Sequence, residues 1–135
     1  MRNKPIRSTG FSESAAAGAF ETGSTRAELS TLNALFRHGY NEDEVFALVV
    51  PKRTLARRKA ANEPLTIEET DKALRLDRIA LQAGRVFGEP EKAHRWLRKA
   101  KRELRGETPL ALLATEAGAR AVEEMLFRIE HGIFA

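Results

Sequence analysis

Apolar positions recur at intervals of three and four along the chain from about Thr25 onward, and nowhere alternate with period two over the length of a strand, so the pattern predicts an all-α protein. A first helix is predicted to open at Thr25, where Thr25-Arg26-Ala27-Glu28 has the form of a capping box. It carries Leu29, Leu32, Leu35 and Phe36 on one face and stops at Gly39. Asn41-Glu42-Asp43-Glu44 caps a second helix with Val45, Phe46, Leu48 and Val49 inward. Pro51 then suits the first turn of a third, from Lys52 to about Ala61, whose main apolar anchor is Leu55. After the turn Asn62-Glu63-Pro64, a capping box at Thr66-Ile67-Glu68-Glu69 opens a long helix to about Phe87. Ala73, Leu76, Ile79, Ala80, Ala83 and Phe87 form its stripe, while Leu74 and Leu81 lie off it; a helix apolar on two sides is expected to lie between two packed units.

Beyond Gly88-Glu89-Pro90, the spacing of Ala93, Trp96, Leu97, Ala100 and Leu104 predicts one helix from Glu91 to about Arg105, ended by Gly106. Thr108-Pro109 caps a short helix holding Leu110, Leu112 and Leu113. Thr115 begins a last one, with Val122, Met125, Leu126 and Ile129 inward. Gly132 ends it and leaves an apolar tail, Ile133-Phe134-Ala135. Trp96 is expected to pack against Leu112 and Met125, and Gly118 to allow close helix packing. Residues 1–24, punctuated by Ser, Thr and Gly, read as a mobile arm. The organisation expected is therefore an arm over 1–24, a helix-turn-helix domain over 25–87 and a small helical C-terminal domain over 88–135, the two domains joined by the long helix.

Composition removes several classes of function. Cysteine is absent from the 135 residues, which excludes disulfides and thiolate chemistry. His38, His94 and His131 lie far apart, so no metal site is expected. No apolar run approaches the roughly 18 residues of a membrane span. Arg2, Lys4 and Arg7 precede no apolar stretch of about 7–15 residues, so no secretory signal is expected and a cytoplasmic location is. Gly84, Gly88 and Gly106 are isolated and build no phosphate loop, and the acid pairs Glu68/Glu69 and Glu123/Glu124 point about 100° apart on their helices. Neither catalytic residues, nor a cofactor, nor a small-molecule substrate is expected.

Charge says more. The formal net charge is +4, and it is unevenly placed. Lys52, Arg53, Arg57, Arg58 and Lys59 fall within eight residues that hold no acid. From Glu107 onward, Glu107, Glu116, Glu123, Glu124 and Glu130 outnumber Arg120 and Arg128. Two helices joined by a short turn, the second basic, is the layout of a helix-turn-helix, whose second helix must present donors to base edges and phosphates. Lys52, Arg53 and Thr54 in the first turn are placed for base contacts, and Arg57, Arg58 and Lys59 for the backbone. Operator DNA is the partner this predicts. A plain helix-turn-helix repressor with a dimerisation tail satisfies the same charge pattern.

The run Trp96-Leu97, Leu104-Arg105-Gly106, Thr108-Pro109-Leu110, Leu113-Ala114-Thr115-Glu116-Ala117-Gly118, Val122-Glu123-Glu124-Met125-Leu126 and Arg128-Ile129-Glu130-His131-Gly132-Ile133-Phe134 resembles the toxin-binding domain of the Xre/ParS/MbcA antitoxins. Thr54-Leu55-Ala56-Arg57-Arg58 and Leu76-Asp77-Arg78 resemble that family's helix-turn-helix region. The resemblance implies a partner, a RES-domain toxin encoded alongside that depletes NAD. It implies a C-terminal region that obstructs the toxin's active-site cleft, repression of the operon by the DNA-binding half, and homodimers or larger assemblies with toxin. The expected toxin contacts are Arg120, Glu123, Glu124, Arg128, Glu130, His131, Gly132, Ile133 and Phe134. The acids stand in for phosphate charge, and Ile133 and Phe134 act as an apolar plug.

Overall fold

The computed structural model describes residues 25–132; the expected arm over 1–24 and the tail residues Ile133 and Phe134 lie outside the described residues. Within that span the chain is all helical: α1 (Thr31–Arg37), α2 (Glu42–Leu48), α3 (Lys52–Ala61), α4 (Ile67–Phe87), α5 (Pro90–Leu97), α6 (Pro109–Leu112) and α7 (Glu116–Glu130), with a 3-10 turn at Arg102–Leu104.

Local signals set most of these limits. Asn41 Oδ1 accepts from the Glu44 amide at 2.8 Å while Glu44 Oε1 accepts from the Asn41 amide at 2.9 Å, the reciprocal capping box that opens α2. Thr66 and Glu69 do the same for α4. Thr108 and Thr115 cap α6 and α7 through the amides of Ala111 and Gly118.

Three expectations change. The helix anticipated at Thr25 starts only at Thr31, because the backbone before it is engaged elsewhere. The Ala27 amide donates to Thr70 Oγ1 at 2.9 Å, the Ala27 carbonyl accepts from the Leu65 amide at 2.9 Å, and Arg26 Nε donates to the Leu65 carbonyl at 2.8 Å. This segment straps the start of α4 instead of beginning α1. The helix anticipated from Glu91 to Arg105 ends at Leu97. Its continuation is a closed loop in which the Lys101 amide donates to Glu107 and the Gly106 amide donates back to Lys101. Leu81, taken as part of a second buried side of α4, is 49% exposed.

α4, about 30 Å long over its 21 residues, is the common wall of the core. α1 packs on it from the N-terminal side, and α5 and α7 from the C-terminal side. The buried set runs without a break from Leu32, Leu35 and Val45 through Leu76, Ile79 and Ala83 to Leu97, Leu113, Val122 and Leu126. Trp96 is partly buried and packs against this core. Its ring lies 5.6 Å from that of Phe87, with Lys101 Nζ 4.9 Å from its centroid, an aromatic and a cation–π contact.

Candidate functional site

α2, the three-residue connection Val49–Pro51 and α3 follow one another in the order and lengths of a helix-turn-helix. Val45, Val50 and Leu55 are buried and fix α3 against the core. The opposite face of α3 is cationic. Lys52, Arg53, Arg57 and Lys59 are exposed and Thr54 is half-buried. Arg58 departs from this set: it is buried, and its guanidinium pairs with Glu69 at the start of α4. Burial pushes the Glu69 carboxyl up, but the Thr66 amide and Arg58 outweigh it and hold the group below its ordinary value. Arg58 therefore anchors α3 to α4, a role that one apolar position per turn in a basic helix does not reveal.

The acidic C-terminal segment is likewise divided between internal and outward groups. Glu123 pairs with Arg78 at 2.7 Å, and Glu116 with both Arg78, at 3.1 Å, and Arg75, at 3.2 Å. Arg75 also donates to the Leu113 carbonyl, so these contacts seat α7 on α4. Glu123 is thus paired within the fold. Arg120 faces outward with its side chain 76% exposed, and Glu124 and Arg128 form an exposed pair one turn apart. Glu130, His131 and Gly132 are exposed at the end of α7. Beside them stands a residue that the apolar stripe did not single out. Phe127 is 50% exposed, its ring 4.1 Å from that of His131, whose Nδ1 donates to the Phe127 carbonyl. Its position one residue after buried Leu126, about 100° around the helix, was the signal available in the sequence.

A joint connects the two ends. From α5, His94 Nε2 lies 2.7 Å from the His38 carbonyl, and since a carbonyl only accepts, Nε2 carries the proton. Arg98 holds Glu44 at 2.6 Å and donates to the Gly39 carbonyl at 2.8 Å. Burial pushes Glu44 up, but Arg98 and the Asn41 amide hold its carboxyl below the usual range. Tyr40 meets the His94 ring edge-on at 4.6 Å and donates to the Leu76 carbonyl at 2.6 Å. Burial lowers the His94 value below the ordinary 6.5, against the pull of the His38 carbonyl, and Nδ1 has no hydrogen-bond partner among the described residues. The unfolded chain therefore takes up a proton near 6.5 that the folded chain refuses. Stability is full above that value and falls as pH drops through it toward the folded value. Melting temperature is expected to fall between about pH 7.5 and 5.5, and to fall less in His94→Gln; equal losses in the two proteins remove this role for His94.

Among the described residues no group of His, Asp and Glu is placed to hold a metal, and no helix is long and apolar enough to cross a membrane. The candidate surfaces on α3 and α7 are exposed helix faces. Comparison with known proteins finds similarity to antitoxins. Residues 82–132 match the family described as the antitoxin Xre/MbcA/ParS C-terminal toxin-binding domain, a match that begins inside α4. An Antitoxin Xre of Pseudomonas putida is 44% identical over 84 residues, 62% of this chain and 53% of that one. An Antitoxin Xre of Yersinia enterocolitica is 34% identical over 87 residues, 64% of this chain and 59% of its own. A Prs ADP-ribosylating antitoxin of a Sphingobium species is 32% identical over 98 residues, 66% of this chain and 62% of that protein. The matches thus span less than two thirds of each of these relatives. Over residues 82–132 the chain is thus similar to the C-terminal toxin-binding domain of the Xre/MbcA/ParS antitoxins.

Proposed function

We propose that this chain is a cytoplasmic antitoxin that neutralises a RES-domain toxin encoded beside it, by laying its C-terminal face over the toxin's NAD-handling cleft. It represses its own operon through α3, as a homodimer on paired half-sites, and forms a larger assembly with toxin. The observation that carries the reading is the toxin-binding family match, which ends on the stretch of α7 where Phe127, Arg128, Glu130 and His131 face outward just before Ile133 and Phe134. A relative named for ADP-ribosylation supports an NAD-using partner, because ADP-ribosyl transfer draws its group from NAD. Charge narrows the contacts. A cleft for an anionic dinucleotide is cationic, and Glu124 and Glu130 are the acids of α7 left outward, with Phe127 as an aromatic anchor beside them. On the DNA side the contacts are Lys52, Arg53, Thr54, Arg57 and Lys59, while Arg58 supports α3 from behind.

The test is to express the neighbouring reading frame in cells with the full chain, with the chain lacking Gly132–Ala135, or alone, reading growth and NAD. The full chain is expected to restore both and the shortened chain to fail. Rescue by both forms overturns the plug, and a neighbour that leaves NAD unchanged when alone overturns the antitoxin mechanism in favour of a plain repressor.

A further inference from the structure

From Lys92 to Arg105 the chain carries Lys92, Arg95, Arg98, Lys99, Lys101, Arg102 and Arg105 against a single acid, Glu103. Arg98 is committed to Glu44, and Lys101 lies over Trp96; Lys92, Arg95, Lys99, Arg102 and Arg105 are exposed. Lys92 and Arg95 lie three apart on α5, where like charges repel, and Lys99 follows just beyond the end of the helix. The following loop is held firmly. Arg105 and Gly106 both adopt positive φ, 58° and 89°, and the paired backbone bonds between Lys101, Gly106 and Glu107 close the turn. A left-handed arginine is an uncommon choice of residue, and here it fixes Lys101, Arg102 and Arg105 around one tight turn. The cations are crowded enough that Lys101 is held below the usual lysine range, by burial and then by Lys99.

The place of this patch matters as much as its charge. Arg98 ties it to Glu44 in the first turn of α2, and in a helix-turn-helix the first helix crosses the sugar–phosphate backbone while the second enters the groove. Here the first turn of α2 is Glu42, Asp43 and Glu44, which repel phosphate. α2 is 7 residues, about 10 Å, long, so Glu44 and the Arg98 that holds it stand within a duplex diameter of the start of α3. We propose that the surface formed by Arg95, Lys99, Lys101, Arg102 and Arg105 is a second DNA-backbone site, which supplies the phosphate contacts that α2 withholds and makes the toxin-binding half part of the DNA footprint. This rests on the DNA-binding reading of α3.

The experiment measures affinity of the full chain for a random-sequence duplex of about 30 base pairs over a salt series, since the phosphate contribution needs no specific sequence. Lys99→Gln/Arg102→Gln/Arg105→Gln is compared with wild type and with Arg53→Gln/Arg57→Gln. The three substituted side chains of the first variant are exposed, so its fold is retained. Each lost phosphate contact removes about 0.9 from the slope of log K against log salt, so that variant, which loses three, is expected to lower the slope by about 2.7, while still protecting cells from the neighbouring toxin. An unchanged slope in that variant, where the α3 variant weakens binding, overturns the second site and leaves the α3 reading intact. Absence of salt-dependent binding by the wild-type chain overturns both. Loss of toxin protection with an unchanged slope assigns the patch to the toxin and overturns the proposal.

Discussion

Gly118→Ala is expected to destabilise the protein by about 3 kcal/mol or more and to separate α6 from α7, although it adds a single methyl group to a helix. An added Cβ would lie 2.0 Å from the Leu112 carbonyl oxygen and 2.8 Å from its carbon. Both obstacles are backbone, so no side chain can rotate away, and Gly118 is also the residue whose amide is held by the Thr115 cap. The same substitution at Gly84 supplies the comparison. Nothing lies within 4 Å of a Cβ there, and alanine in a helix interior is favoured over glycine by about 1 kcal/mol. Melting followed by circular dichroism should place the two variants on opposite sides of wild type. A Gly118→Ala protein that melts like wild type means α6 and α7 do not pack as described.

Gly39→Ala is expected to be comparably damaging for a different reason, and to act on the joint between the halves. Gly39 has φ of 112°, where an L side chain is strained by roughly 1–3 kcal/mol, and its Cβ would lie 2.3 Å from His94 Cδ2. The imidazole must leave, losing its bond to the His38 carbonyl and its contact with Tyr40. Together these amount to about 3–5 kcal/mol, or a fall in melting temperature of some 15–25 °C for a domain of this size. The pH dependence assigned to His94 should shrink with it. A Gly39→Ala protein that keeps the wild-type melting temperature and pH slope refutes both the contact and the joint.

What the sequence made legible follows from how local each signal is. The capping boxes at Asn41 and Thr66 act within four residues, and both are formed. The Thr25 box has the same form and is overridden, because Ala27 bonds to Leu65 and Thr70, about forty positions away, and no local pattern records such partners. The apolar stripe located Leu76, Ile79 and Leu126 in the core for the same local reason. Charge was read less well. Five basic residues in a row of eight look alike on paper, yet Arg58 is turned inward to Glu69, and Glu123 is paired at the surface with Arg78, each partner on a separate helix. Phe127 could be seen as lying off the stripe, but only its exposure next to His131 marks it as a surface group.

The continuous core around α4 also has a consequence for the lifetime of the molecule. Because α1 and α7 brace the same helix, partial unfolding at either end exposes apolar surface at the other, and the described residues are expected to melt as one cooperative unit. A cellular protease that engages the chain at any point of that unit removes its whole binding repertoire in one event. Under the function proposed above, turnover of this protein is therefore expected to release toxin and promoter together, on a single clock.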